Sequence, residues 1–180
     1  MHQDIKEILI TGEQIEKKAA ELGQQLSKDY AGKKPILLGL LKGSVPFMAD
    51  IMKNIDIPVE IEFMDISSYH GAKSTGQVKI LKDLDTSVEN RHVIIAEDII
   101  DTGRTLEKVV HLLKHRGASS VETVSMLDKV ESRAVEMEAK YIGFVIPSAF
   151  VVGYGLDYNE SYRNLPYVGI LKEEVYVNKA

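Results

Sequence analysis

The chain has 180 residues, 44% hydrophobic and 27% charged, a size and composition that suit one globular domain over residues 1–180 with a sizeable core. A net charge of −5 argues against an extended nucleic-acid surface, and the absence of cysteine excludes disulfides and thiolate metal sites. No apolar run is long enough to span a bilayer and the N-terminus lacks a signal-peptide core, so a cytoplasmic protein without membrane contact is expected.

Thr11-Gly12-Glu13-Gln14 has the form of a capping box, and Ile15, Ala19, Leu22, Leu26 and Tyr30 then recur at helical spacing up to Gly32. The run Pro35 to Leu41 reads as a buried strand ending in a Lys42-Gly43-Ser44 turn. Val45, Met48, Met52 and Ile55 predict a second helix. Val59, Ile61 and Phe63 alternate with Glu60 and Glu62, a strand with one wetter face. Ser67 to Gln77 is polar and without period, a mobile loop, and Lys79 to Leu81 suits a short returning strand. Leu106, Val109, Val110 and Leu113 mark a helix stopped by Gly117. Strands follow at Val121 to Leu127 and at Tyr141 to Ile146, the latter stopped by Pro147. This alternation predicts an α/β fold, a mostly parallel twisted sheet flanked by helices on both faces. The irregular, aromatic-rich stretch from about 147 to 180, with the N-terminal residues, is expected to form a small hood.

The segment His92 to Leu106, HVIIAEDIIDTGRTL, carries the chemistry. A strand, a turn and a helix in that order aim backbone N–H groups beyond the strand's carboxyl end, where Thr102 and Thr105 add hydroxyls and Gly103 permits close approach. That half suits a phosphate. The half containing Glu97, Asp98 and Asp101 repels one, unless it serves another part of the same ligand. Ionised carboxylates accept hydrogen bonds from a diol and also attract Mg²⁺. A sugar carrying a phosphate and free hydroxyls, such as ribose 5-phosphate, meets both demands. Taken alone, Thr102 to Thr105 would equally serve as a helix N-cap. The carboxylates ahead of it favour a ligand site.

This segment closely resembles the phosphoribosyl-pyrophosphate (PRPP) motif of type I phosphoribosyltransferases, and the chain from about Ile5 to Ala180 is similar to the hypoxanthine-guanine branch of that family. The resemblance implies transfer of the 5-phosphoribosyl group from PRPP to N9 of a 6-oxopurine, giving IMP or GMP plus pyrophosphate, with Mg²⁺ as cofactor. It assigns Glu97, Asp98, Asp101, Thr102, Gly103, Arg104 and Thr105 to PRPP, and Asp101 to proton handling at purine N7. Arg104 stands at a turn position that varies in the family and is given no definite contact. Lys42, Gly43 and Arg163 are assigned to pyrophosphate, and the peptide joining Leu41 to Lys42 is often cis in the family. Lys129, Phe150, Val151 and Asp157 are assigned to the purine pocket, with Lys129 on the 6-oxygen and Phe150 stacking on the base. Glu97, Asp98 and Asp157 would hold the metal, and Ser68 and Tyr69 would belong to a catalytic flap. A homodimer or homotetramer is expected from the relatives.

Blander readings stand beside these. Lys42-Gly43-Ser44 alone is an ordinary turn, and Phe150 alone reads as a core aromatic. His111 and His115 lie off the apolar face of their helix and read as solvated rather than as a metal pair. No P-loop occurs, and Gly153-Tyr154-Gly155 lacks the rest of a dinucleotide fingerprint. The alternatives are a PRPP-sensing regulator on the same fold, or a transferase for xanthine, adenine or a pyrimidine. Acidic composition weighs against the regulator, and Lys129 with Phe150 against adenine or a pyrimidine.

Overall fold

The computed structural model describes residues 1–68 and 78–177. In chain order its elements begin with β1 (Ile5–Ile10), α1 (Gly12–Asp29), β2 (Ile36–Leu41), α2 (Val45–Lys53), β3 (Glu60–Ser68) and β4 (Val78–Lys82). They continue with β5 (His92–Ile100), α3 (Arg104–His115), β6 (Ser120–Asp128), β7 (Tyr141–Val145), β8 (Val151–Val152), β9 (Val168–Leu171) and α4 (Glu173–Tyr176). The main sheet has the order β4-β3-β2-β5-β6-β7, parallel except for β4, which pairs antiparallel with β3. A smaller antiparallel sheet, β1-β9-β8, joins the N-terminal strand to the last third of the chain.

β2 and β5 lie at the centre of the main sheet and are covered on both faces, so their sequences are continuous apolar runs. Leu37, Ile94 and Ala96 pack with α1 and α2, while Ile36, Leu38, Leu40, Val93 and Ile95 pack with α3. The capping box at α1 is reciprocal: Gln14 N–H donates to Thr11 Oγ1 at 3.3 Å, and Thr11 N–H to Gln14 Oε1 at 2.8 Å. Ile15, Ala19, Leu22, Leu26 and Tyr30 are all buried beneath this helix. Truncating Leu26 to Ala would cost about 2–5 kcal/mol through lost burial and a residual cavity.

Two local expectations need correction, and one strand carried no expectation at all. The buried face of α2 is Phe47, Met48 and Ile51, whereas Val45 and Met52 are exposed. The helix packs by its middle turn, a frame the four-residue repeat from Val45 does not reveal. In β3 the alternation is inverted: Glu62 is buried beside Met64, and Ile61 is exposed. Glu62 is stabilised there by accepting the Asp85 N–H at 3.3 Å, since a buried carboxylate needs such a donor. Finally, β1 was not legible as a strand, because register shifts after Ile5 and after Ile8 break the two-residue period along Ile5, Ile8 and Ile10. His111 and His115 are exposed on α3, as their spacing implied.

Candidate active site

Strand order reverses between β2 and β5, with β3 and β4 to one side and β6 and β7 to the other, and the crevice at such a point lies beyond the strands' carboxyl ends. A cleft of about 400 Å³ opens there. Gly43 lines it from the end of β2, Glu97, Asp98, Asp101 and Thr105 from beyond β5, and Lys129 from the end of β6. Phe150, Val151, Asp157 and Arg163 close it from the side of the small sheet. These ten candidate residues are thus brought together across more than a hundred positions of sequence.

The turn from Asp101 leads into α3 through Gly103, the residue before the helix, whose φ of 77° is left-handed. A side chain there would meet Arg133 Cδ at 3.0 Å and Val135 Cγ2 at 3.1 Å, so both backbone conformation and space call for glycine. Thr102, Gly103 and Thr105, with Glu97 and Asp101, line a separate cavity of about 150 Å³ beside the main cleft. Gly103 offers α3 no side-chain cap of the kind Thr11 gives α1, and the Arg104 N–H reaches Thr102 Oγ1 only at 3.5 Å, so the start of the helix can turn N–H groups toward an anion. Arg104 is exposed and lines neither cavity.

Gly43 and Asp98 meet closely: the Asp98 carboxylate occupies the space a Cβ at position 43 would fill. The Gly43 carbonyl in turn lies where a Cβ on Gly155 would stand. The loop after β2, the acidic pair and the turn after β8 therefore pack directly on one another, and the Leu41–Lys42 peptide within that loop is cis. Burial, and after it the Asp98 charge, holds the Glu97 carboxyl well above the usual carboxylate range. Burial pushes Asp98 up to about 6, opposed by the Ile99 N–H that it accepts at 2.8 Å and by Arg163. Asp101 stands apart from this pair. It is half exposed and faces Lys129, whose Nζ is 3.7 Å from its carboxylate. The three carboxylates are thus a mutually repelling pair plus one that has its own cation.

Arg163 donates to the Gly155 carbonyl at 2.7 Å and pairs with Asp157 at 2.9 Å and Glu160 at 3.1 Å. Its Nε is buried with no hydrogen-bond partner among the described residues. Lys42 does not line the cleft. Its exposed ammonium lies 3.0 Å from Glu160, so a single carboxylate bridges the two cations assigned to pyrophosphate. Glu160 was missed from the sequence, and nothing in its spacing marks it; a positive φ of 59° turns it toward both cations. Gly155 was likewise seen only as part of an incomplete glycine motif. Phe150 is 39% exposed and is no core residue. Ser68 ends β3, but its side chain and all of Tyr69 lie outside the described residues.

The donors available to a metal are carboxylate oxygens, hard ligands of the kind Mg²⁺ takes. Among the described residues no three acidic or histidine side chains form a preformed cage, so Glu97, Asp98 and Asp157 share the cleft without converging on one point. That suits an ion which binds one or two carboxylates and completes its shell with water and substrate phosphates. No helix among the described residues is long and apolar enough to cross a membrane.

Comparison with known proteins accords with this arrangement. The phosphoribosyl transferase domain matches residues 6–159. The hypoxanthine-guanine phosphoribosyltransferase of Streptococcus mutans is 58% identical over 177 residues, 98% of each chain. The bifunctional protein TilS/HprT of Listeria monocytogenes is 55% identical over 98% of this chain, which spans only 27% of that longer protein. A crystal structure of a hypoxanthine phosphoribosyltransferase from Staphylococcus aureus superposes with a TM-score of 0.95 at 55% identity, covering 98% of this chain and 96% of the other. The chain is a member of the phosphoribosyl transferase domain family.

Proposed function

We propose that the chain is a purine salvage enzyme that transfers the 5-phosphoribosyl group of PRPP to N9 of hypoxanthine or guanine, giving IMP or GMP and pyrophosphate. The observation that carries this reading is the Asp101–Lys129 pair, 3.7 Å apart in the same cleft as Phe150. The 6-oxygen and N7 lie side by side on one edge of an oxopurine. A base stacked on Phe150 that accepts from Lys129 through its 6-oxygen presents N7 to Asp101. Adenine would turn an amino group toward the same cation. Polar matching of this kind discriminates by ~10⁴ or more when the wrong partner leaves buried groups unpaired.

The remaining roles belong to the same proposal, supported by which residues line the two cavities. The 5-phosphate sits on the turn Thr102 to Thr105, taking its backbone N–H groups and hydroxyls. Glu97 and Asp98 accept from the ribose hydroxyls. Arg163 and the backbone at Gly43 receive pyrophosphate, joined by Lys42 once its ammonium leaves Glu160. Mg²⁺ bound near Glu97, Asp98 and Asp157 would neutralise charge on the pyrophosphate as it departs. The C1–oxygen bond breaks as N9 bonds to C1, the electron pair leaves with pyrophosphate, and Asp101 takes the proton from N7. Ser68 and Tyr69, as parts of a closing flap, would keep water from the activated sugar. The chain is read as one domain over 1–180, with the β1-β9-β8 sheet and its turns as the hood, working as a cytoplasmic homo-oligomer.

The experiment is a panel of hypoxanthine, guanine, xanthine, adenine and uracil with PRPP and Mg²⁺, following nucleotide formation. Turnover of hypoxanthine or guanine with little or none of adenine is expected. Transfer to adenine or uracil alone, or PRPP binding without transfer to any base, would overturn the proposal.

A further inference from the structure

The Phe150 ring does not stand alone. Tyr176, in the short helix α4, stacks on it with ring centroids 4.8 Å apart and planes 18° from parallel. Tyr158 meets it edge-on, with centroids 5.7 Å apart and planes at 86°. Phe150 lines the cleft whereas Tyr176 does not, so Tyr176 backs the ring from outside the ligand space. The Phe150 backbone is held just before β8, its carbonyl accepting the Leu171 N–H at 2.9 Å, but its ring is 39% exposed, so neighbouring rings are what limit its tilt.

We infer that Tyr176 is a positioning residue for the purine site: it fixes the plane of Phe150 from behind, so that an arriving base completes a three-layer stack of Tyr176, Phe150 and purine. This rests on the proposed function, in which Phe150 stacks on the base. Preorganisation is the physical content, because a ring already held in its binding plane loses no freedom when the base docks. Offset stacked pairs of this kind are favourable beyond the area they bury. Tyr158 adds a second constraint at right angles. It adjoins Asp157, so the turn that bears the acidic and pyrophosphate-facing groups also touches the base platform. The Tyr176 hydroxyl has no assigned part; the ring face alone carries the role, so Phe at this position should suffice.

The test compares steady-state kinetics of Tyr176→Ala, Tyr176→Phe, Val175→Ala and Phe150→Leu with the unmodified chain, varying hypoxanthine and PRPP separately. Val175 and Tyr176 both pack against the small cluster around Val152, Tyr162, Leu165 and Leu171, so Val175→Ala reports loosening of that cluster. Tyr176→Ala should raise KM for hypoxanthine about three- to tenfold, with kcat and the KM for PRPP within twofold, as expected for losing one aromatic pair. Tyr176→Phe should restore the normal value, and Val175→Ala should lower thermal stability while leaving the KM for hypoxanthine unchanged. An unchanged KM in Tyr176→Ala, alongside a raised one in Phe150→Leu, would overturn the positioning role. An equal rise in Val175→Ala would overturn it too, as would failure of Phe to substitute. An unchanged KM in Phe150→Leu would instead sink the assignment of Phe150 to the base.

Discussion

Asp98→Asn should make the ligand-free protein more stable while weakening its grip on PRPP. The Asp98 carboxyl is pushed from 3.8 to about 6 by burial, with Asp157 adding to the effect, so at neutral pH the folded chain carries an anion that folding destabilises. A shift of roughly two units is worth about 3 kcal/mol, an upper figure because the cleft is open to water. A net gain of about 1–3 kcal/mol for the amide is therefore expected, or a rise of roughly 3–10 °C in Tm for a chain of this size. The amide oxygen can still accept the Ile99 N–H that Asp98 accepts at 2.8 Å, so the local backbone keeps its partner. The pH dependence fixes the sign. Because the folded value lies above the unfolded one, the stability tied to this group is full below about pH 3.8 and is lost as pH rises through about 6. Asparagine does not titrate, so the gap between variant and parent should be small near pH 4, about half developed near pH 5 and complete by about pH 7. Thermal denaturation in metal-free buffer at several pH values measures it. A variant less stable than its parent at neutral pH, or a gap independent of pH, would refute the reasoning. Adding PRPP with Mg²⁺ should then stabilise the parent more than the variant.

Asp101→Asn should lower kcat by about 10²–10⁴ while changing the KM for PRPP little, the range for losing a positioned general base. Equal losses in both would contradict its proton role. Lys129→Gln should raise the KM for hypoxanthine and narrow the preference over adenine, measured by competition between the two bases. An unchanged preference would remove Lys129 from the base pocket. Glu160→Gln should strengthen pyrophosphate inhibition about two- to tenfold, because the Glu160 pairs at 3.0 and 3.1 Å no longer compete for Lys42 and Arg163. Weaker inhibition would show that Glu160 does not compete with the anion.

Much of the site was legible because its chemistry is local in sequence. Glu97 to Thr105 forms a strand end, a turn and a helix start within nine residues, and residue types alone imply what such a turn can bind. Lys129, Phe150 and Arg163 have no such local signature. They became readable only through resemblance to a family, since a strand-end lysine or a hood aromatic is unremarkable until the fold sets it against Asp101. What stayed hidden depends on three-dimensional approach. The Glu160 bridge arises because a turn with positive φ returns to the loop after β2, and the seat of Asp98 against Gly43 needs two parallel strands side by side. The exposed Ile61 and buried Glu62 in β3 show the same limit in the fold. Alternation reveals that a strand has two faces, but neighbours decide which face is covered.

The most direct measurement is a structure determined with IMP or with a PRPP analogue and Mg²⁺. The 5-phosphate should lie on the backbone of Thr102 to Thr105, the ribose hydroxyls at Glu97 and Asp98, and the base between Phe150 and Lys129. A ligand seated elsewhere on the chain with this cleft empty, or one whose phosphate lies away from that turn, would contradict the proposed salvage reaction.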